Sequence, residues 1–257
     1  MAPQDATVNP VSRLAGNLDD VRRRIDAAAR RAGRDPADVR LVVVTKGHAV
    51  SHLAALPGLG VTDLGENRIQ EAAGKIAASD LGVRWHLIGH LQRNKARRAV
   101  SLFALIHSLD SLRLLDHLDR IAGETGTAVE ALLQVNVSGE PQKHGLEPGE
   151  VRSVLGEAAS RTNVTIRGFM GMAPFGVDAE ICRSCFSDLA RIRREASEGA
   201  WYRISLPELS MGMTGDFEIA VEEGATIVRV GTAVFRGVDP APDDAPPGRN
   251  QSRNEER

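Results

Sequence analysis

One lysine follows directly after a short, strongly apolar run near the start of the chain. Residues 41–44 (LVVV) are four consecutive apolar residues, three of them β-branched, which is typical of a strand buried on both faces. Such a strand carries Lys46 to the rim of an apolar interior, where desolvation disfavours the charged ammonium form. A partly neutral amine is a nucleophile towards aldehydes, so Lys46 is a candidate Schiff-base lysine. The alternative is a strand-end lysine that extends into water.

Two segments near the end of the chain contain the residue types that hold anions. Residues 210–213 (SMGM) precede a predicted helix, whose free N-terminal N–H groups and dipole favour phosphate. Gly231 and Thr232 follow an apolar run and supply a flexible turn and a hydroxyl group. Each segment by itself is also compatible with a simple turn.

An amine nucleophile and a phosphate-binding segment in one protein suit a phosphorylated aldehyde. Pyridoxal 5'-phosphate (PLP) is the obvious candidate, held as an aldimine to Lys46. Arg229, at the end of the last apolar run, would then face the pyridine nitrogen of PLP. Because arginine keeps its proton, that nitrogen would stay unprotonated and the ring would be a poorer electron sink. The alternative for Arg229 is an ion pair at the rim of the fold.

The chain alternates between strand-like and helix-like segments along most of its length. This alternation implies a parallel sheet, and eight β/α units close a (β/α)8 barrel of the TIM type. A doubly wound open sheet is the alternative, but no Gly-x-Gly-x-x-Gly motif follows the first strand. In a barrel, the functional site lies at the C-terminal ends of the strands. The strands are predicted at residues 41–44, 61–64, 83–88, 103–107, 129–137, 164–170, 202–205 and 226–230.

The segments that flank the alternating region complete the predicted domain organisation. Residues 12–32 repeat apolar side chains at helical spacing, with Ser12 as the predicted cap. Because only a short segment follows the eighth strand, we expect this extra N-terminal helix to pack beside that strand and close the ring. We therefore assign residues 11–238 to one α/β barrel domain, residues 1–10 to a flexible tail and residues 239–257 to a disordered tail.

The composition is that of an ordinary globular protein. The 257 residues carry a formal net charge of -2 and 42% of them are hydrophobic, so we expect neither nucleic acid nor a membrane as a partner. The N-terminus lacks an apolar signal core and no run of about 18 apolar residues occurs, so we expect a cytoplasmic protein. Cys182 and Cys185 form a lone Cys-x-x-Cys in a helical pattern, and without further ligands nearby they predict no metal site.

Seven motifs, spread in order over residues 12–237, carry a family resemblance. They are the segments 42–46 (VVVTK), 65–71 (GENRIQE), 85–95 (WHLIGHLQRNK), 134–138 (QVNVS), 167–170 (RGFM), 209–213 (LSMGM) and 228–235 (VRVGTAVF). Together they closely resemble the pyridoxal phosphate homeostasis protein family, whose barrel is similar to the N-terminal domain of alanine racemase.

The resemblance implies a cofactor, a role and a set of binding residues. The family binds PLP and regulates its supply and amino-acid balance, without an established enzymatic activity. The cofactor-binding residues implied for this chain are Lys46 (through the Schiff base), Asn67, Ser210, Gly212, Met213, Arg229, Gly231 and Thr232.

Whether such a barrel catalyses a reaction depends on a second base. A racemase of this type needs a lysine on one face of the substrate and a tyrosine from a second domain on the other, but here Tyr202 lies at the start of a predicted strand. His86 and His90 are other candidate bases, although His86 lies inside a strand pattern that favours a packed histidine. We therefore expect a monomeric PLP-binding protein without a catalytic residue, which passes PLP to apo-enzymes. A weak PLP-dependent racemase and a Schiff-base aldolase are the alternatives.

Overall fold

Eight parallel strands close into a barrel surrounded by helices in the computed structural model of this chain, which confirms the predicted (β/α)8 fold. The structure describes residues 9–140, 142–199 and 205–238. The strands are β1 (Arg40–Val44), β2 (Asp63–Glu66), β3 (Arg84–Leu87), β4 (Leu105–Leu109), β5 (Val129–Gln134), β6 (Val164–Met170), β7 (Glu208–Ser210) and β8 (Ile227–Val230). The helices are α1 (Pro10–Arg31), α2 (Val50–Leu53), α3 (Ile69–Ala78), α4 (Ala96–Leu102), α5 (Leu112–Thr125), α6 (Val151–Ala158), α7 (Ala179–Ser197) and α8 (Phe217–Glu222).

The barrel strands are buried on both faces, as their apolar runs predict. A small apolar cluster joins residues of strands that are not neighbours in the sheet, so it fills the inside of the barrel. A much larger cluster fills the layer between the strands and the surrounding helices. The inner cluster consists of Val42, Leu105, Leu132, Met170 and Ile227.

The N-terminal helix α1 occupies the position that completes the ring of helices. Its Asn17 side-chain amide donates to the carbonyl oxygens of Val234 (2.8 Å) and Arg236 (2.9 Å), which follow β8. Its Arg24 forms an ion pair with Glu218 of α8, with 2.8 Å between the charged atoms. The predicted closure of the ring by this helix is confirmed.

The start of α1 differs slightly from the prediction. The helix begins at Pro10, two residues before the predicted start, and its cap is Asn9 rather than Ser12. The Asn9 side-chain oxygen accepts a hydrogen bond from the Val11 N–H at 2.9 Å. A proline fits the first helical position because its missing N–H would have no partner there. The remaining predicted tail residues, 1–8 and 239–257, lie outside the described residues.

The seventh strand lies later in the chain than predicted. Residues 202–204 of the predicted strand lie outside the described residues, Ser205 is not in a strand, and β7 spans Glu208–Ser210. Ser210, which was predicted in a loop, pairs with Met170 of β6 inside the sheet. Parallel pairing with β6 and closure onto β8 therefore position this three-residue strand, although its sequence has little strand propensity.

Two further expectations concern the helices. Cys182 and Cys185 are free thiols buried on α7, which confirms the prediction that both lie in a helix. Among the described residues, no helix is long and apolar enough to cross a membrane.

We predict that the packing of α1 is required for stability. Leu18 on α1 is fully buried, so Leu18→Ala should lower the free energy of unfolding by about 2–5 kcal/mol through lost burial and a cavity. Urea unfolding at equilibrium measures this change. Arg30→Ala, at an exposed position of the same helix, should change stability by less than about 0.5 kcal/mol. An equal effect of the two variants would contradict a structural role for α1.

Candidate functional site

Lys46 lies in a turn at the C-terminal end of the barrel. Strand β1 ends at Val44, Thr45 is fully buried, and Lys46 follows as an exposed residue before Gly47, whose φ of 73° requires glycine. The desolvation of Lys46 expected from the sequence is therefore wrong, because the turn carries the residue beyond the apolar interior. Lys46 is instead an exposed residue at the C-terminal end of β1.

The peptide groups on both sides of Lys46 are held by α3. The Lys75 ammonium donates to the carbonyl oxygen of Thr45 at 2.6 Å, and the Gly47 N–H donates to Glu71 Oε1 at 2.8 Å. Lys75 also forms an ion pair with Glu71 at 3.1 Å, one helical turn away. This arrangement fixes the backbone that positions Lys46 while leaving its side chain free.

A buried carboxylate completes this support. Glu66 at the end of β2 is fully buried, and its Oε1 accepts hydrogen bonds from the Lys75 ammonium and the Thr45 hydroxyl, both at 2.6 Å. Burial raises the pKa of Glu66, although these two hydrogen bonds oppose the shift. For Glu71, burial also acts to raise the pKa, but the Gly47 N–H and Lys75 outweigh it and lower the pKa. We refer to Glu66, Lys75 and Glu71 as the Lys75 cluster.

A chain of buried hydrogen bonds crosses the inside of the barrel from β8 to β2. We call it the barrel relay, and its members in order are Arg229, Ser210, His107, His86 and Asp63. The distances are 2.6 Å from Arg229 Nη1 to Ser210 Oγ, 2.9 Å from Ser210 Oγ to His107 Nδ1, 2.9 Å from His107 Nε2 to His86 Nδ1 and 2.9 Å from His86 Nε2 to Asp63 Oδ1.

The chemistry of the two ends fixes the direction of every hydrogen bond in the barrel relay. Arginine only donates, so Ser210 accepts from Arg229 and turns its own hydroxyl proton towards His107 Nδ1. The other nitrogen of His107 then donates to His86 Nδ1, and His86 Nε2 donates to the Asp63 carboxylate. One proton in each of the four hydrogen bonds therefore satisfies the whole chain.

Burial sets the charge states along the barrel relay. It lowers the pKa of His107 well below its usual value and also lowers that of His86, so both imidazoles are neutral at pH 7. Burial acts to raise the pKa of Asp63, but hydrogen bonds from His86 and Thr62 and the nearby charge of Arg84 lower it to about 2. Burial lowers the pKa of Arg229 to about 10, against the attraction of Asp216. The barrel relay therefore has the Arg229 cation at one end, the Asp63 anion at the other and neutral groups between them.

The loops after β7 and β8 pack tightly against each other and against β1. The Arg229 N–H donates to the Gly212 carbonyl oxygen at 3.0 Å, and the Ala233 N–H donates to Thr214 Oγ1 at 3.4 Å. At Gly212, with φ of 91°, a Cβ would lie 2.6 Å from Ala220 Cβ, and at Gly231 a Cβ would lie 2.9 Å from the Val44 carbonyl oxygen. Only glycine fits at these two positions, which lets the backbone form the wall of the site.

The other predicted site residues have different partners. The Ser210 hydroxyl is shared between Arg229 and His107, so in this structure it orients the arginine. The Met213 N–H donates to Asp216 Oδ1 at 2.5 Å. Thr232 is exposed in the turn after β8, and Asn67 is exposed directly after β2.

All eight predicted site residues lie at the C-terminal ends of four neighbouring strands. Strand β8 lies between β7 and β1, and β1 pairs with β2, so Lys46 and Asn67 stand beside the loops that contain Gly212 and Gly231. Sequence reasoning named Arg229, Ser210 and His86 separately, but it included neither the Lys75 cluster nor His107 and Asp63 of the barrel relay. The spacing of Glu71 and Lys75 at i and i+4 was the one available signal for that cluster.

The sequence of this chain is similar to a known protein family and to named proteins of several bacteria. The profile of the family "Alanine racemase, N-terminal domain" matches residues 16–239. A pyridoxal phosphate homeostasis protein of Aquifex aeolicus is 38% identical over 219 residues, which cover 85% of this chain and 95% of that protein. A protein of the same name from Deinococcus radiodurans is 40% identical over 214 residues, covering 82% of this chain and 95% of that protein.

Solved structures show the same likeness. PipY of Synechococcus elongatus, in a structure with PLP bound, is 38% identical with a TM-score of 0.77, and the match covers 86% of this chain and 99% of that one. An alanine racemase of Clostridium difficile has a TM-score of 0.70 at 14% identity, and the match covers 91% of this chain but 59% of that one. The racemase therefore shares the fold and has a substantial further part.

We predict that the buried carboxylate of Glu66 is stable in the fold only because Lys75 is paired with it. Lys75→Met should lower the free energy of unfolding by about 3–5 kcal/mol, because it leaves a buried carboxylate without its cation. The double variant Glu66→Gln/Lys75→Met should recover part of that loss, and a double-mutant cycle by urea unfolding measures the coupling.

The exposed ion pair between Arg191 and Glu195 at the same i and i+4 spacing provides the control. Arg191→Met should change stability by less than about 1 kcal/mol. Additive effects of the Glu66 and Lys75 substitutions would show that the two residues are not coupled.

We predict that the neutral histidines make stability depend on pH. In the unfolded chain a histidine binds a proton below about pH 6.5, whereas buried His107 does not, so protons favour unfolding as the pH falls below that value. The free energy of unfolding should fall from pH 6.5 to pH 5 by up to about 1.4 kcal/mol per pH unit for each such histidine.

His107→Gln should therefore reduce the slope of stability against pH, even though it destabilises the protein at pH 7. His117→Gln, which replaces a partly exposed histidine on α5, should leave the slope unchanged. Urea unfolding at several pH values measures both, and a full slope in His107→Gln would refute a neutral His107.

Proposed function

This chain belongs to the pyridoxal phosphate homeostasis protein family, and from that premise we propose that it binds PLP covalently through Lys46 and holds it for supply to other proteins. The bond would join the ε-nitrogen of Lys46 to the aldehyde carbon of PLP, with the loss of one water molecule. The PLP-bound structure of PipY supports the choice of ligand.

The state of the lysines is the observation that carries this proposal. The chain contains Lys46, Lys75, Lys95 and Lys143. Lys75 is buried with three oxygen partners, and Lys143 is paired with Glu140. Lys95 is partly buried in a short turn before α4, whereas Lys46 is exposed at the end of β1 beside the loops after β7 and β8. Lys46 therefore combines an accessible amine with a nearby wall of backbone.

The remaining predicted residues fit the other parts of the cofactor. We propose that Arg229 faces the pyridine nitrogen, because it is a buried cation whose guanidinium is fixed by Ser210 and the Gly171 carbonyl oxygen. Bound PLP supplies an electron-withdrawing ring, and an arginine at its nitrogen weakens that property because the nitrogen stays unprotonated.

The loops would hold the phosphate and the open edge of the ring. We assign the phosphate to Gly212, Met213, Gly231 and Thr232, where glycine allows the backbone to approach closely. Helix α8 has six residues, so the loop backbone rather than a long helix dipole would provide the donors. Ser210 acts through Arg229, and Asn67 lies beside the ring at the end of β2.

We propose that the protein stores and delivers PLP without catalytic turnover. Removal and return of a proton on opposite faces of a substrate requires two available bases. His86 is 1% exposed and both of its ring nitrogens are hydrogen-bonded within the barrel relay, so it is committed to structure. Tyr202 lies outside the described residues. An exposed Lys46 suits exchange of the cofactor with PLP-dependent apo-enzymes, and so a role in PLP and amino-acid balance, better than protected carbanion chemistry.

We predict that Lys46 is the attachment point of PLP. Protein loaded with PLP and reduced with borohydride should yield one labelled peptide, containing Lys46, and the absorption of the bound cofactor should be lost in Lys46→Ala. Lys95→Ala is the matched control and should keep both signals. Labelling of another lysine in the unmodified protein would overturn the assignment.

A second measurement separates storage from catalysis. Incubation of the PLP-loaded protein with L-alanine or D-alanine should give no sustained appearance of the opposite enantiomer. Transfer of PLP to an apo-enzyme faster than from an equal concentration of free PLP would support delivery. Sustained racemisation that is lost in Lys46→Ala would replace the storage function with a racemase.

A further inference from the structure

Three metal-ligating side chains meet on the side of the barrel mouth opposite the proposed cofactor site. His90 follows β3, Asp110 follows β4 and His144 follows β5. His90 Nδ1 lies 3.0 Å from Asp110 Oδ2, and His144 Nδ1 lies 4.0 Å from the same oxygen. In the described part of the chain, which includes every histidine and cysteine, this is the one group of three or more such residues with converging ligand atoms. We call it the His90–Asp110–His144 cluster.

We propose that the His90–Asp110–His144 cluster binds one divalent transition-metal ion, with Zn²⁺ as the expected metal. Two imidazole nitrogens and one carboxylate oxygen form a ligand set that suits zinc and neighbouring transition metals, whereas Mg²⁺ and Ca²⁺ prefer oxygen ligands throughout. Three protein ligands leave a fourth position for water or a small anion at the mouth.

The spacing of the three ligand atoms matches a metal site. Zinc bonds to nitrogen and oxygen are about 2.1 Å long, so two ligand atoms of a tetrahedral site are about 3.4 Å apart. The measured separations of 3.0 Å and 4.0 Å from Asp110 Oδ2 lie on either side of that value. The side chain of His144 is 59% exposed, so its ring is free to turn by the small amount that would equalise the two distances.

The imidazole rings of His90 and His144 are stacked on each other. Their centroids are 3.9 Å apart and their planes differ by 10°. Both Nδ1 atoms lie near a single carboxylate oxygen, His90 Nδ1 at hydrogen-bond distance (3.0 Å) and His144 Nδ1 beyond it (4.0 Å). A cation between them would be bound by all three groups at once, and the rings would tilt so that both lone pairs point at the ion.

Backbone contacts hold the segments next to these side chains, which favours a defined site. Gly89, next to His90, packs so closely on β2 that a Cβ would lie 2.3 Å from the Asn67 carbonyl oxygen. The His144 carbonyl oxygen accepts a hydrogen bond from the buried Gln134 side chain at 2.9 Å. Ser111, which follows Asp110, caps α5 by accepting from the Leu114 N–H. The three ligands therefore extend from fixed positions, and only their side chains need to move.

The nearby cation does not oppose binding. Lys143 precedes His144, but its ammonium is paired with Glu140 and also lies 3.3 Å from the Ala173 carbonyl oxygen. The Asp110 side chain is 13% exposed, so its negative charge is only partly screened by water. A divalent cation would therefore meet a partly desolvated carboxylate without a free ammonium next to it.

Zinc titration of the full-length protein tests the proposal. Protein without an affinity tag, stripped with a chelator, would be titrated with Zn²⁺ by calorimetry and by competition with a chromophoric chelator. One ion per chain is expected, with affinity reduced more than about tenfold in Asp110→Asn and in His144→Ala. Co²⁺ in place of Zn²⁺ should give d–d absorption bands without the intense thiolate band that a cysteine ligand would add.

Two control variants make the test specific. His117→Ala removes a partly exposed histidine outside the cluster, and Cys182→Ser/Cys185→Ser removes both thiols. Each variant should bind Zn²⁺ as the unmodified protein does. Zn²⁺ should also raise the unfolding temperature of the unmodified protein but not that of His144→Ala. Because the His144 side chain is exposed, its replacement should not prevent folding, so misfolding would not account for the lost response. The absence of a bound ion, or unchanged affinity in both cluster variants, would overturn the proposal, and the borohydride label on Lys46 is independent of either result.

Discussion

The parallel pairing of β1 with β8 is the constraint on which the rest of the structure depends. It places Val42 opposite Arg229 and Val43 opposite Val230, which turns an open sheet into a barrel without edges. The same pairing brings the lysine after the first strand next to the glycine turn after the last one. The α1 helix then covers this seam, and its Asn17 binds the carbonyl groups that follow β8. The same strand pairing therefore closes the barrel and brings the parts of the proposed binding site together.

Inside the barrel, the protein accepts buried polar groups that a purely apolar interior would avoid. One proton lies in each hydrogen bond of the barrel relay, so that the cationic Arg229 and the anionic Asp63 are connected by neutral groups. Such a fully satisfied network costs little in unpaired polar atoms and restricts the arginine to one orientation. An arginine held in this way is a fixed charge at the base of the mouth rather than a mobile surface group.

The two sides of the barrel mouth are organised by different physical means. Around Lys46, the Lys75 cluster holds the backbone from below through buried charges and hydrogen bonds, and the side chain remains exposed. Around His90, the close packing of Gly89 holds the backbone, and the His90 side chain is exposed. Both arrangements combine a rigid main chain with an accessible functional group, which is what reversible binding of a small ligand requires.

The sequence by itself determined the order and type of the elements, because apolar periodicity and turn residues are local properties. It therefore predicted the barrel, the closing N-terminal helix and the position of Lys46 at a strand end. The chain's family motifs added Asn67 to the proposed cofactor site, but they indicated neither the exposure of Lys46 nor the partners of Ser210.

Only the tertiary structure decided which distant side chains meet. Strand β7 formed where pairing with β6 and β8 placed it, and not where strand propensity was greatest. The contacts of His86 with His107, of Glu66 with Lys75 and of His90 with Asp110 and His144 join residues on different strands, helices and loops. Such contacts follow from the register of the closed sheet and from barrel curvature, which the spacing of residues along one strand does not contain.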